Sequence, residues 1–156
     1  MRMSDFVVRD AIVPDLKATT KEGVIREMVE SLRGAGYFKG GEMEDIVKAI
    51  LKRELLGSTG IGRGVAIPHS KHGSVDRLIG TVGVSRGGVP FDSLDGEPVH
   101  VFVLLISPQD WPGDHLRALE NVSRSLRDDG FVRKLRTATT KEQIWSLLGE
   151  ADQPPA

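Results

Sequence analysis

Between Glu54 and His72 the chain reads ELLGSTGIGRGVAIPHSKH, and this stretch gathers the residues best suited to chemistry. His69 stands directly behind Pro68, after the apolar run Val65, Ala66, Ile67, and four glycines precede it: Gly57, Gly60, Gly62 and Gly64. Glycines at this density let a backbone turn tightly and lay its own N–H groups against an anion. Pro68 removes a donor and fixes φ where a short buried strand must stop, which holds His69 at a strand end. An imidazole so placed can act as nucleophile, acid or base, metal ligand or plain structural residue.

Two familiar glycine-loop chemistries fail on the residues. A Walker loop counted from Gly57 would need Lys and then Ser or Thr after its second glycine, but Gly62 is followed by Arg63 and Gly64. A dinucleotide fingerprint runs strand, glycines, helix; here the order is helix, glycines, strand.

The elements that must position His69 read as follows. Ala11 to Leu16 is an edge strand, with Pro14 keeping it out of a sheet centre. Thr19 and Glu22 stand at capping-box spacing before a helix whose apolar stripe is Val24, Ile25, Met28, Val29 and Leu32; Gly34 and Gly36 stop it. A second helix over 42–56 buries Met43, Ile46, Val47, Ile50 and Leu51, with Arg53 beside that stripe near its C-terminal end, where the dipole favours a cation. Leu78 to Val84 is a strand in which Gly80 and Gly83 admit close approach by another segment. Phe91 to Leu94 and Val99 to Ile106 flank Asp95-Gly96, a hairpin signal, and the run VHVFVLLI suits a central strand covered on both faces.

Pro112, Gly113 and Asp114 start a further helix, and Leu119, Val122 and Leu126 follow His115 at four, seven and eleven residues, which points His115 inward from the first turn. Phe131 to Leu135 and Gln143 to Leu148 close the chain as short helices, Thr140 capping the second, with a loose tail over 152–156. The fold class is α/β, a single domain with a mixed β-sheet sandwiched between α-helices.

Composition narrows the function. The 156 residues suit one domain, and 21 basic against 22 acidic side chains, net −1, suggest no nucleic-acid or membrane surface as main partner. No cysteine is present, so disulfides and thiolate zinc sites are excluded. The sequence shows neither an apolar leader nor a run of membrane-spanning length, and a cytoplasmic location is expected. His69 and His72 could share a metal, but no carboxylate cluster in the sequence joins them. His72 reads as an exposed loop residue and His100 as a strand start. A hydrolase pairing of Ser70 with His69 is weak, because neighbours on extended backbone point apart.

Glu54, then Ile61 and Gly62, then Val65, Ala66, Ile67, Pro68 and His69, at this spacing, resemble the active-site signature of phosphotransferase-system (PTS) enzyme IIA domains of the fructose, mannitol and nitrogen-regulatory class. LLGSTGIGRGVAIPH is most similar to the nitrogen-regulatory branch; Ser70 departs from the small residue, usually glycine, that follows the histidine in the family. The resemblance extends from Asp5 to Leu148 and implies a PTS EIIA type-2 domain over 5–149, with 150–156 as tail, and a three-layer phosphotransferase/anion-transport-like architecture.

It also implies a mechanism. His69 takes a phosphoryl group on Nε2 from a donor resembling phosphorylated HPr, a small histidine phosphocarrier. Arg53 and His115, which matches the family's histidine-leucine pair with Leu116, lie against it, and the amides of Gly60, Gly62 and Gly64 bind phosphate. No cofactor, nucleotide or metal is implied. The phosphate either passes to a cysteine of a separate IIB protein, as in sugar uptake, or serves as a signal that alters binding to regulatory protein targets. The regulatory phosphocarrier ranks first, the fructose- or mannitol-type uptake component second, and a non-catalytic binding module third.

Overall fold

The computed structural model describes residues 2–38, 40–110 and 112–152. Strand β5 (Val99–Ser107) is the axis of the sheet. Antiparallel β4 (Ile79–Val89) occupies one of its edges. On the other edge run β2 (Val65–Ala66) and β3 (His69–Lys71), both parallel to β5 and both in one register, Val65 opposite Val101 and His69 opposite Leu105. Short β1 (Gly60–Gly62) pairs antiparallel with β2, so the sheet is mixed.

The alternation of β5 sorts its side chains between two cores, since successive residues on a strand face opposite ways. Val101, Val103 and Leu105 join Val65, Ile67 and the helices α1 (Met3–Phe6), α4 (Pro112–Ser125), α5 (Asp129–Thr137) and α6 (Lys141–Ala151). Phe102, Leu104 and Ile106 face α2 (Lys21–Gly34) and α3 (Met43–Leu55). These layers bear out the expected sandwich.

Local chemistry explains several boundaries. The cap of α2 is Thr20, one residue later than the sequence suggests, and its hydroxyl accepts from Gly23 N; the five apolar residues expected on that helix are all buried. Thr140 and Gln143 form a capping box on α6. Gly80 and Gly83 do admit neighbours: a Cβ would lie 2.8 Å from Leu105 Cδ2 at the first and 2.9 Å from Leu16 Cδ1 at the second.

Four sequence readings change. The 11–16 segment lies along the β4 edge, with Val13 N donating to Val82 O and Leu16 N to Val84 O, yet it forms a single parallel bridge at Val13 instead of a strand. Phe91 to Leu94 is no strand, because β5 pairs with β4 and Asp95-Gly96 is a turn inside the link between them. Pro68 interrupts the ladder without ending it: its carbonyl accepts from Leu105 N, and pairing resumes at His69. Helix α6 runs through Ala151, and Asp152, placed in a loose tail by the sequence, accepts from Met3 N at 2.8 Å and Ser4 N at 3.0 Å, capping α1. Residues 153–156 of that tail lie outside the described residues.

Candidate active site

His69 sits where parallel β3 meets the end of β5. In-register neighbours on adjacent strands face the same way, so His69 shares the side of Leu105, toward α4. His115, on the first turn of α4, is buried as its spacing required, and its ring centroid lies 5.4 Å from that of His69.

The tautomer of His69 follows from its partner. Nδ1 lies 2.7 Å from Ile67 O. A carbonyl only accepts, so Nδ1 carries the proton and donates, and in the neutral ring Nε2 holds the free lone pair. Half-burial lowers the imidazole pKa from its ordinary value; the bond to Ile67 works the other way, the charge of Arg53 adds to the depression and Glu54 opposes it. The neutral, nucleophilic form is therefore favoured near neutral pH.

His115 is held neutral more firmly. Burial, then the charges of His69 and Lys71, push its pKa down to about 4. Its Nδ1 shares a short hydrogen bond with Ser107 Oγ at the end of β5. Arg53, in the last turn of α3, sends Nη1 to Gly57 O at 2.9 Å, close enough to His69 for its charge to register there. The structure thus brings His69 and His115 together and sets Arg53 within electrostatic reach of His69.

The glycines are arranged otherwise. Arg63 and Gly64, with φ of 58° and 78°, make the two-residue turn of the β1–β2 hairpin, a conformation that favours glycine at the second position. Gly60 N donates to Ser58 Oγ and Gly62 N to Ser93 Oγ, so both amides are engaged. Gly64 precedes His69 by five residues, roughly 16 Å at strand rise. The expected phosphate cradle of Gly60, Gly62 and Gly64 is instead a hairpin leading away from the imidazole. The backbone opposite His69's own segment is that of Thr59, whose carbonyl accepts from Ile67 N.

Glu54 is the residue whose role sequence reasoning missed. It is buried, accepts from Thr59 N at 2.9 Å and from Thr59 Oγ1, and pairs with Lys21 Nζ at 3.5 Å. Thr59 in turn fixes Ile67, which fixes His69. The family signature contained Glu54, but nothing in its spacing pointed to this relay. Leu55, Leu56 and Leu116 are 87%, 83% and 60% exposed, the first two following Arg53 and Glu54 and the third following His115 in the chain.

His72 does not pair with His69. It is half-buried, hydrogen-bonds Ser74 Oγ at 2.7 Å, and lies with Glu42 and Asp45 so that one ligand atom of each falls within 4.8 Å of the others. The two carboxylates stand at the N-terminal end of α3, where the helix dipole favours them without an ion. His100 is the second residue of β5, and Ser70 Oγ turns to Lys71 O, away from His69. Among the described residues no helix is long and apolar enough to cross a membrane.

Comparison with known proteins identifies the family. Residues 5–151 match the family model "Phosphoenolpyruvate-dependent sugar phosphotransferase system, EIIA 2". The chain is 35% identical over its full length to a nitrogen regulatory protein of Bradyrhizobium diazoefficiens, covering 98% of it. It is 33% identical to the PTS fructose-specific EIIABC component of Bacillus subtilis, matching through 98% of this chain and 24% of that longer protein. The crystal structure of nitrogen regulatory protein IIA-Ntr from Neisseria meningitidis superposes with a TM-score of 0.84 at 29% identity, over 94% of this chain and 98% of that one. The chain belongs to the EIIA type-2 family of the PEP-dependent sugar phosphotransferase system.

Proposed function

We propose that the protein is a regulatory phosphocarrier that accepts a phosphoryl group on Nε2 of His69 from a phosphorylated HPr-like donor. The observation that carries this is the Nδ1 bond to Ile67 O, which directs the free lone pair of a neutral imidazole to the other nitrogen. In the transfer, Nε2 attacks phosphorus in line, the new N–P bond forms as the donor's N–P bond breaks, and the donor ring keeps the electron pair. The proton on Nδ1 stays where it is, so no separate base is required.

Arg53 supplies positive charge toward the dianionic group. His115, neutral near pH 7, accepts from Ser107 on Nδ1 and offers Nε2–H to a phosphoryl oxygen. The exposed Leu55, Leu56 and Leu116 seat the partner proteins. A phosphoryl group set among them adds charge to that face and alters which targets it binds. The similarity to nitrogen regulatory proteins favours this signalling role, exercised in the cytoplasm.

Similarity to a fructose-specific component supports a second reading, transfer to a IIB cysteine during sugar uptake; these 156 residues hold no cysteine, so that acceptor lies outside them. Incubation with phosphoenolpyruvate, enzyme I and HPr tests the carrier role. An acid-labile phosphorylated species is expected, and none with His69→Ala; a wild-type chain that stays unmodified overturns it. Chasing the label with IIB proteins then separates uptake from signalling.

A further inference from the structure

Far from His69, a cleft of about 520 Å³ opens between α5, the β1–β2 turn and the starts of β5 and the β4 bulge. Arg63, Arg86, Arg133 and Arg136 line it with His100, against the single carboxylate of Asp129. We propose that this cleft binds a small anion carrying a diphosphate group, such as a nucleoside diphosphate.

Charge is the first argument. The whole chain has a net charge of −1, yet four guanidiniums converge on one cavity. Converging like charges repel, and an anion between them removes that cost. Among the described residues Arg63 pairs with Asp129 Oδ1 at 3.2 Å, and the charge of Arg86 reaches the Asp15 carboxylate. Arg133 and Arg136, one turn apart on α5, have exposed guanidiniums with no acceptor among the described residues.

Placement is the second. Arg86 is held by backbone carbonyls, Nη1 on Arg136 O at 2.7 Å and Nη2 on Pro14 O at 3.3 Å and on Ala138 O. Arg63 Nη1 is held by Arg127 O at 2.9 Å. Carbonyls position a guanidinium without neutralising it, and its planar donor fork matches phosphate oxygens. His100 is seated too: Nδ1 donates to Ser85 O at 3.0 Å, and a Cβ on Gly88, whose φ is +81°, would lie 2.9 Å from Nε2. Glycine there makes room for the ring.

Size is the third. The volume falls within the range of roughly 300–1,000 Å³ that suits small ligands, and is far more than one phosphate fills. His100 stands five residues before Leu105, the partner of His69, so the cleft is roughly 16 Å along the sheet from the phosphorylation site. A ligand here leaves His69 free.

Titration of the ¹⁵N-labelled full chain at physiological salt with inorganic pyrophosphate, ADP and orthophosphate tests this. Saturable binding of pyrophosphate or ADP is expected, tighter than orthophosphate, with amide shifts at Gly88, His100 and Arg133. Equal affinity for pyrophosphate and ADP assigns recognition to the diphosphate alone; tighter ADP extends it to the nucleoside. The double variant Arg133→Ser/Arg136→Ser, exposed positions whose folding is checked by thermal unfolding, should weaken binding at least tenfold, while His69→Ala binds as wild type. The inference is overturned by no saturable response or by binding indifferent to the double substitution. Failure of His69 phosphorylation would leave all of these readouts intact.

Discussion

The ring nitrogen Nδ1 of His69 donates to the carbonyl oxygen of Ile67, two residues earlier in the chain, at 2.7 Å. A residue's own strand thus selects its tautomer, and Pro68 between the two leaves little freedom for that bond to shift.

The pH dependence of transfer follows from the lowered pKa of His69. The reactive neutral ring persists on acidification past the ordinary imidazole value, so the acid limb of transfer rate against pH should turn below about pH 6.5. Rates measured with a fixed excess of phosphorylated donor between pH 5 and 8 check this; an inflection above that value contradicts it.

His115 should make the protein acid-sensitive. Its pKa is about 4 when folded and about 6.5 when unfolded, so between these values the unfolded chain binds a proton that the folded chain does not. Stability from this group is complete above the unfolded value and falls with pH through that window. Between pH 7 and 5 the loss is about 2 kcal/mol. Urea unfolding of His115→Gln should show a pH 7 to 5 difference smaller by that order; an unchanged difference contradicts the assignment.

Glu54 should matter to both stability and rate. Glu54→Gln weakens the bonds to Thr59 and leaves Lys21, among the described residues, with Asp92 as its acid partner, at a cost of roughly 1–3 kcal/mol. Because Thr59 holds Ile67 and Ile67 holds His69, kcat for phosphoryl transfer should fall several-fold while KM for the donor stays near wild type. Steady-state kinetics beside urea unfolding separates the two; lost stability with unchanged kcat would reduce Glu54 to a structural residue.

Leu55 and Leu56 should behave in the opposite way. Their exposure means that Leu55→Ser/Leu56→Ser changes stability by no more than about 0.5 kcal/mol per site. If they seat the donor protein, KM should rise at least fivefold with kcat preserved. An unchanged KM removes them from the docking surface.

The layered fold was legible because α2, α3, α4 and β5 carry strong periodic or continuous apolar patterns, and their burial follows directly. His115 was legible for the same reason: a polar residue on an apolar stripe must face inward. Asp95-Gly96 misled because a turn dipeptide fixes local geometry and says nothing of which strands pair around it. Pro68 misled because the missing donor costs one ladder bond while the carbonyl remains available to Leu105. Gly62 and Gly64 fit an anion cradle and a tight hairpin equally well, and only tertiary placement decides between them. Glu54 was hidden because its partner Thr59 sits across a turn, where helical spacing no longer applies.

Long-range ¹H–¹⁵N correlation of the His69 ring, before and after phosphorylation, tests the phosphocarrier assignment most directly. The free protein should show the proton on Nδ1, and the phosphorylated protein should show phosphorus on Nε2 with that proton retained. Phosphorus on Nδ1, or on any residue other than His69, would contradict it.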